Sequence, residues 1–73
     1  MDTEKCYALL RSIELGSLSA AAQELGYTVS GMSRLVLSLE DELGFRLLNR
    51  SRSGVVPTRE CELLLPAMRE LAR

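Results

Sequence analysis

The basic side chains of this 73-residue chain are concentrated in one short stretch. Residues 45–59 contain no acidic residue and four arginines, which are Arg46, Arg50, Arg52 and Arg59. Guanidinium groups form paired hydrogen bonds with phosphate and fit a narrow minor groove, so this stretch is suited to nucleic acid. A solvated loop whose arginines only maintain solubility would have the same composition. The overall net charge of −1 does not by itself favour a polyanionic partner.

Catalytic and metal-binding chemistry has no support in the sequence. Histidine is absent, no nucleophile is paired with a base, and there is no glycine-rich phosphate loop. Two cysteines are too few for a zinc site. We therefore predict that the chain is not an enzyme and that it has no catalytic residue, no metal ligand and no cofactor in this domain.

The two cysteines, Cys6 and Cys61, are far apart in sequence and have no motif spacing. We expect reduced, mostly buried thiols in a cytoplasmic protein, since nothing local supports a disulfide or a redox switch. No apolar run is long enough to span a membrane, and no secretory leader is visible. We therefore expect no membrane partner.

Two helices are predicted in the first part of the chain. Apolar residues at helical spacing follow Asp2 and Thr3, either of which can cap a first helix that ends at Gly16. The second helix is short and is expected over residues 20–25, with a serine as its N-cap. The two candidates for this cap are Ser17 and Ser19.

A third helix is predicted over residues 29–43, between Thr28 as N-cap and Gly44. The residues before and at its start, 16–34, are mostly small, which lets two helices cross closely around a tight turn. This is the shape of a helix-turn-helix, whose second helix can enter the DNA major groove. An ordinary helical hairpin packed through alanines would have the same pattern.

A small β-hairpin, or wing, is predicted over residues 46–57, because two short apolar pieces flank a polar turn. Pro57 places its strand at an edge. Thr58 can cap a last helix, which Pro66 should bend or loosen. The expected fold is therefore mainly α: a winged helix-turn-helix with a three-helix core, a small β-hairpin wing and the start of a C-terminal helix.

The segment GSLSAAAQELGYTVSGMSRLVLSLEDELGFRLLNRSRSGVVPT resembles the N-terminal winged helix-turn-helix domain of bacterial LysR-type transcriptional regulators. The resemblance implies that residues 1–58 bind duplex DNA sequence-specifically, with the helix-turn-helix at about 18–37 and the recognition helix at about 29–43 in the major groove. Amides after Ser19 and at the start of the third helix can also accept a phosphate. The implied contacts of that helix and the wing are Thr28, Val29, Ser30, Ser33, Arg34, Arg50, Arg52 and Ser53.

The resemblance also implies that residues 59–73 begin a linker helix through which the chain forms a homodimer, or a tetramer of dimers in the full-length protein. This helix would lead to an effector-binding domain that is absent from this chain and binds a small molecule. The DNA partner would be a pseudo-palindromic operator with half-sites about 34 Å apart. The dimerisation candidates, which would equally cover the domain's own core, are Leu63, Leu64, Met68 and Leu71.

The recognition helix departs from the usual pattern of the family. Val29 lies where Gln is frequent, and Leu35 and Leu37 lie where polar or basic residues are usual. A thymine-rich half-site, weak specificity, or packing of Leu37 against an absent element would each account for this. Two alternatives remain: a molybdate-responsive winged-helix regulator, which shares the style of the second helix, and a protein-interaction module, which fits the apolar residues and the net charge.

Overall fold

Side chains that accept backbone N–H groups set the starts of the first three helices. In the computed structural model, which describes residues 2–71, these helices are α1 (Thr3–Leu15), α2 (Leu18–Leu25) and α3 (Val29–Leu43). Each helix ends at a glycine in the left-handed conformation, as the sequence predicts. The N-caps are Asp2, Ser17 and Thr28.

Helix α2 begins at Leu18 rather than at Ala20. The reason is that the Ser17 hydroxyl accepts the Ala20 N–H at 3.1 Å, so Ser17 and not Ser19 is the N-cap. Ser19 therefore lies within the first turn of the helix, where backbone N–H groups have no intrahelical acceptor.

The predicted wing is present as an antiparallel hairpin of β1 (Leu48–Ser51) and β2 (Gly54–Pro57). Leu48 lies opposite Pro57 at the open end, so the first strand begins two residues later than the predicted wing. Along β1, Leu48 is buried while the remaining residues of the strand are exposed. The hairpin therefore packs on the core at its base and extends into solvent at its tip.

The last helix, α4 (Arg59–Leu71), follows the wing directly. The Thr58 hydroxyl accepts the Cys61 N–H at 3.1 Å and donates to the Arg46 carbonyl at 2.8 Å, so one side chain caps α4 and ties it to the chain before β1. The helix continues through Pro66, which cannot donate a backbone hydrogen bond. Residues 72 and 73 of the predicted helix lie outside the described residues.

Two groups of buried side chains form the core. The larger group joins α1, α3, the wing and α4, and burying each leucine within it stabilises the fold by about 1.5–3 kcal/mol. The smaller group lies where α1, α2 and α3 meet, and three of its members carry only a methyl group. These small side chains let the three helices approach closely. The smaller group consists of Ala8, Ala21, Ala22 and Met32.

Backbone groups of the wing are held by partners in other elements. The Glu40 carboxylate near the end of α3 accepts the N–H groups of Leu47 and Leu48, at 2.7 and 3.3 Å. The Val55 N–H donates to the Gly16 carbonyl at 3.1 Å, which joins β2 to the turn between α1 and α2. These bonds fix the hairpin relative to the helices at both of its strands.

Polar contacts between α1 and the following helix–turn segment support the same arrangement. Arg11 binds the Glu24 carboxylate through two hydrogen bonds of 2.6 Å, and it also contacts Glu14. The hydrogen bond from Arg11 lowers the pKa of Glu24, and the bonds to the two carboxylates raise the pKa of Arg11. Tyr27 donates a hydrogen bond to Glu4, which raises the pKa of the tyrosine.

The two cysteines are free and fully buried. Burial raises the pKa of Cys61 to about 11, with a smaller effect of nearby Glu62, and burial also raises the pKa of Cys6. Both thiols therefore stay protonated near neutral pH. Within residues 2–71, no group of side chains could hold a metal ion and no helix is long and apolar enough to cross a membrane.

Candidate nucleic-acid interface

A cleft of about 330 Å³ separates the wing from the starts of α2 and α3. It brings together predicted site residues from three elements: Ser19 of α2, Val29 of α3, and Arg50 and Arg52 of the wing. Arginines, hydroxyl groups and the N-termini of two helices thus border one opening, and all of them favour an anionic ligand. The other residues that line the cleft are Ser17, Leu18, Ser51, Gly54 and Val55.

Helix α3 has two sides that are occupied by the rest of the domain. Met32, Val36 and Leu39 are buried in the core. On a second side, the Lys5 ammonium of α1 donates to the Ser38 hydroxyl at 3.0 Å and to Glu42 at 3.2 Å. The side that remains accessible is called here the open face of α3. Its residues within the first nine positions of the helix are Val29, Ser30, Ser33, Arg34 and Leu37, and the exposed Asp41 lies one turn beyond them.

The open face is continuous with the wing through a direct hydrogen bond. The Arg50 guanidinium donates to the Ser33 hydroxyl at 2.8 Å. Both residues are among the predicted site, but their pairing could not be read from the sequence, because it depends on how the hairpin packs against α3. Since the bond is solvent-exposed and involves one of five guanidinium N–H donors, Arg50 keeps donors for a further ligand.

The predicted site residues at the tip of the wing are exposed. Arg52 and Ser53 lie at the turn between the strands, and the Ser53 hydroxyl is 3.0 Å from that of Ser51. Arg46 precedes β1 and donates to the backbone carbonyl of Leu48 at 3.4 Å. Arg52 therefore places a positive charge at the exposed end of the hairpin, away from the core.

Thr28 and Gly31 at the start of α3 both have a role in the N-cap of the helix. The Thr28 hydroxyl accepts the Gly31 N–H at 2.9 Å, so this predicted contact residue also caps the helix. A Cβ atom added at Gly31 would lie 3.1 Å from the same hydroxyl, which is a tight contact. The glycine therefore leaves room for the cap.

The apolar residues of α3 differ in their placement. Leu35 is half-buried and packs against the small-residue cluster of α1, α2 and α3, so it is not part of the open face. Leu37 is 51% exposed and Val29 is 52% exposed. Sequence periodicity alone did not separate these leucines, because Leu35 lies at the margin of the buried side.

The four dimerisation candidates on α4 have different surroundings. Met68 is fully buried and belongs to the domain's own core, so its side chain has no surface to offer a partner in this fold. Leu64 is half-buried against the same core. Leu63 is 77% exposed and Leu71 is 48% exposed, so these two are the accessible large apolar residues of the helix.

Comparison with known proteins agrees with this arrangement. The family model described as bacterial regulatory helix-turn-helix protein, lysR family, matches residues 4–62. The probable HTH-type transcriptional regulator LrrA of Synechococcus elongatus is 43% identical over 89% of the chain. The probable nitrogen assimilation transcriptional activator of the same species is 41% identical over the whole chain. The chain spans only 22% and 23% of the lengths of these two relatives.

Solved structures share the fold. The CbnR_DBD–DNA complex superposes with a TM-score of 0.90 at 28% identity, covering 96% of this chain and 80% of that one. The complex of BenM_DBD with benA site 1 DNA superposes with a TM-score of 0.88 at 30% identity, covering 97% and 80%. CbnR, a LysR family transcriptional regulator, superposes with a TM-score of 0.88 at 28% identity, covering 96% of this chain and 24% of that one. These likenesses confirm the winged helix-turn-helix architecture.

Proposed function

Because the chain belongs to the LysR family of bacterial regulatory helix-turn-helix proteins, we propose that residues 1–58 bind duplex DNA sequence-specifically and regulate transcription. The observation that carries this proposal is the Arg50–Ser33 hydrogen bond, which makes the wing and the open face of α3 one continuous surface. The fit of CbnR_DBD and BenM_DBD, both solved with DNA, supports it. In this role the chain is not an enzyme and acts in the cytoplasm.

The part of the DNA that each side chain is proposed to contact follows from the position of that side chain. Arg34, Ser30 and Val29 enter the major groove on α3 and contact base edges. Arg50, Arg52 and Ser53 bind phosphates or the minor groove from the wing, and the first turn of α2 near Ser19 binds a phosphate through its N–H groups. Thr28 and Ser33 hold the start of α3 and the Arg50 side chain in place for these contacts.

We also propose that the chain forms a dimer through α4. Residues 59–73 begin the linker helix, and its exposed Leu63 and Leu71 contact a second copy, with Leu64 at the edge of that contact. A two-fold pair of α3 helices then meets a pseudo-palindromic operator with half-sites about 34 Å apart. The chain spans less than a quarter of the length of these two relatives, and in this proposal a small-molecule effector would bind a C-terminal domain outside this chain.

Loss of Arg34 should be distinguishable from loss of Arg50. We expect Arg34→Ala to weaken binding to a selected site by about 1–3 kcal/mol and to weaken random DNA far less, because it contacts a base edge. We expect Arg50→Ala to weaken both DNAs equally and to reduce the salt slope by about 1 per protomer, since it contacts phosphate. The wild-type slope of log affinity against log salt should be about −5 to −7 for a dimer with 6–8 phosphate contacts.

The measurement is fluorescence anisotropy with a duplex selected from a random pool by the chain fused to a dimerising helix, and with an unselected duplex. Arg69→Ala, which removes the same charge from the exposed side of α4, is the matched control and should leave both affinities nearly unchanged. Equal losses for Arg34→Ala on the two duplexes would make Arg34 a phosphate contact. Failure to bind any duplex at low salt would replace the proposal with a protein-interaction module.

A further inference from the structure

We propose that the open face of α3 reads the 5-methyl groups of thymine through Val29 and Leu37. This inference rests on the proposed function, since it names the base chemistry that the same surface selects. It goes beyond a general capacity to bind DNA, because it assigns specificity to two side chains that can neither donate nor accept a hydrogen bond.

Val29 and Leu37 are both accessible to a ligand in the folded domain. Val29 is 52% exposed and Leu37 is 51% exposed, on the one side of α3 that the core and Lys5 leave accessible. They are eight residues apart, which corresponds to about 12 Å along the helix. At about 3.4 Å per base-pair step, this separation corresponds to roughly three to four steps, so one helix can place two apolar groups against different base pairs of one groove.

The surroundings of Val29 make it part of a polar binding surface. Val29 lines the cleft together with Ser19, Arg50 and Arg52. Single exposed apolar side chains are common on protein surfaces and mean little alone. Here, however, the valine lines the same cleft as two arginines that are suited to phosphate, so a DNA backbone bound by these arginines would bring base edges close to it.

The open face combines polar and apolar side chains. Ser33 accepts a hydrogen bond from Arg50, which leaves its hydroxyl donor free for a further partner. Arg34 and Ser30 are the other polar groups of the open face that can contact base edges. Two of the five residues of the open face therefore depend on apolar contact for any preference between bases.

Thymine is the base that offers such a contact. In the major groove its C5-methyl group is the distinctive apolar feature, whereas guanine, cytosine and adenine present polar donors and acceptors. Pressing Val29 or Leu37 against those polar edges would remove water without supplying a hydrogen-bond partner, which is unfavourable. The two side chains thus favour thymine both by attraction and by exclusion of the other bases.

Replacement of thymine by deoxyuridine tests the inference, because it removes the methyl group and leaves the base pairing unchanged. A site is first selected from a random duplex pool with the chain fused to a dimerising helix. We expect each deoxyuridine opposite Val29 or Leu37 to weaken binding about fourfold, the effect of one buried methyl group. Val29→Ala should reduce the loss at its own position and leave the loss at the Leu37 position intact.

Val56→Ala is the matched control. Val56 is 59% exposed, but it alternates with Val55 along β2 and so lies on the face of the hairpin away from α3. We expect this variant to retain the full response to deoxyuridine. Selection of a site whose affinity deoxyuridine does not change would overturn the inference and leave the proposed function standing. Retention of no duplex at all would overturn both.

Discussion

Replacement of Gly54 by alanine is expected to lower the free energy of unfolding by about 3 kcal/mol. Gly54 has a φ of +128°, which side-chain-bearing residues rarely adopt, and an added Cβ would lie 2.1 Å from the Gly16 carbonyl oxygen. The overlap is with backbone, so no side-chain rotation can relieve it. The hairpin would have to move away from the α1–α2 turn and lose the Val55–Gly16 hydrogen bond.

The measurement is urea unfolding followed by circular dichroism. Gly26→Ala is the matched control, because Gly26 also has a positive φ, of +81°, but an added Cβ there meets nothing within 4 Å. The control should cost only about 1 kcal/mol, which reflects the left-handed conformation alone. Equal losses for the two variants would show that the wing does not rest on the turn as described.

Replacement of Met68 by alanine should lower the free energy of unfolding by about 2–5 kcal/mol, whereas Leu63→Ala should change it by less than about 0.5 kcal/mol. The two residues are on the same helix, but Met68 is fully buried and Leu63 is 77% exposed. A cavity forms only where the side chain is enclosed. Conversely, Leu63→Ala should weaken self-association, because the exposed leucine is the side chain that a second copy would cover.

Chemical unfolding and sedimentation equilibrium separate the two effects. Leu63→Ala with unchanged unfolding but a weaker dimer would match the account, and Met68→Ala should be judged by unfolding alone. Arg59→Ala, an exposed residue at the start of α4, is the control for an inert surface change. A Met68→Ala variant as stable as the wild type would mean that α4 is not packed on the core.

Much of the fold was predictable from local chemistry. Side chains such as Thr28 accept N–H groups only a few residues ahead, and glycines such as Gly44 end helices through a local conformation. The wing followed from a change of pattern and a polar turn. The one displaced helix start, at Leu18, arose because two serines could each cap α2 and the sequence pattern did not choose between them.

Contacts between elements that are distant in the sequence could not be predicted from it. The Arg50–Ser33 hydrogen bond spans 17 residues, and the bonds from Glu40 to Leu47 and Leu48 depend on how the chain turns after α3. Met68 is another example. Helical periodicity shows that α4 has an apolar side, but it does not show which apolar residues the core encloses and which remain accessible.

In the proposed function, the open face of α3 and the wing together form the DNA-binding surface. The most direct test is a nuclear magnetic resonance titration of the ¹⁵N-labelled chain with a short duplex at low salt. We expect the largest amide shift changes in residues 17–19, 29–37 and 50–55, with little change in residues 62–71. Shift changes concentrated on α4, or none at saturating duplex, would contradict the account.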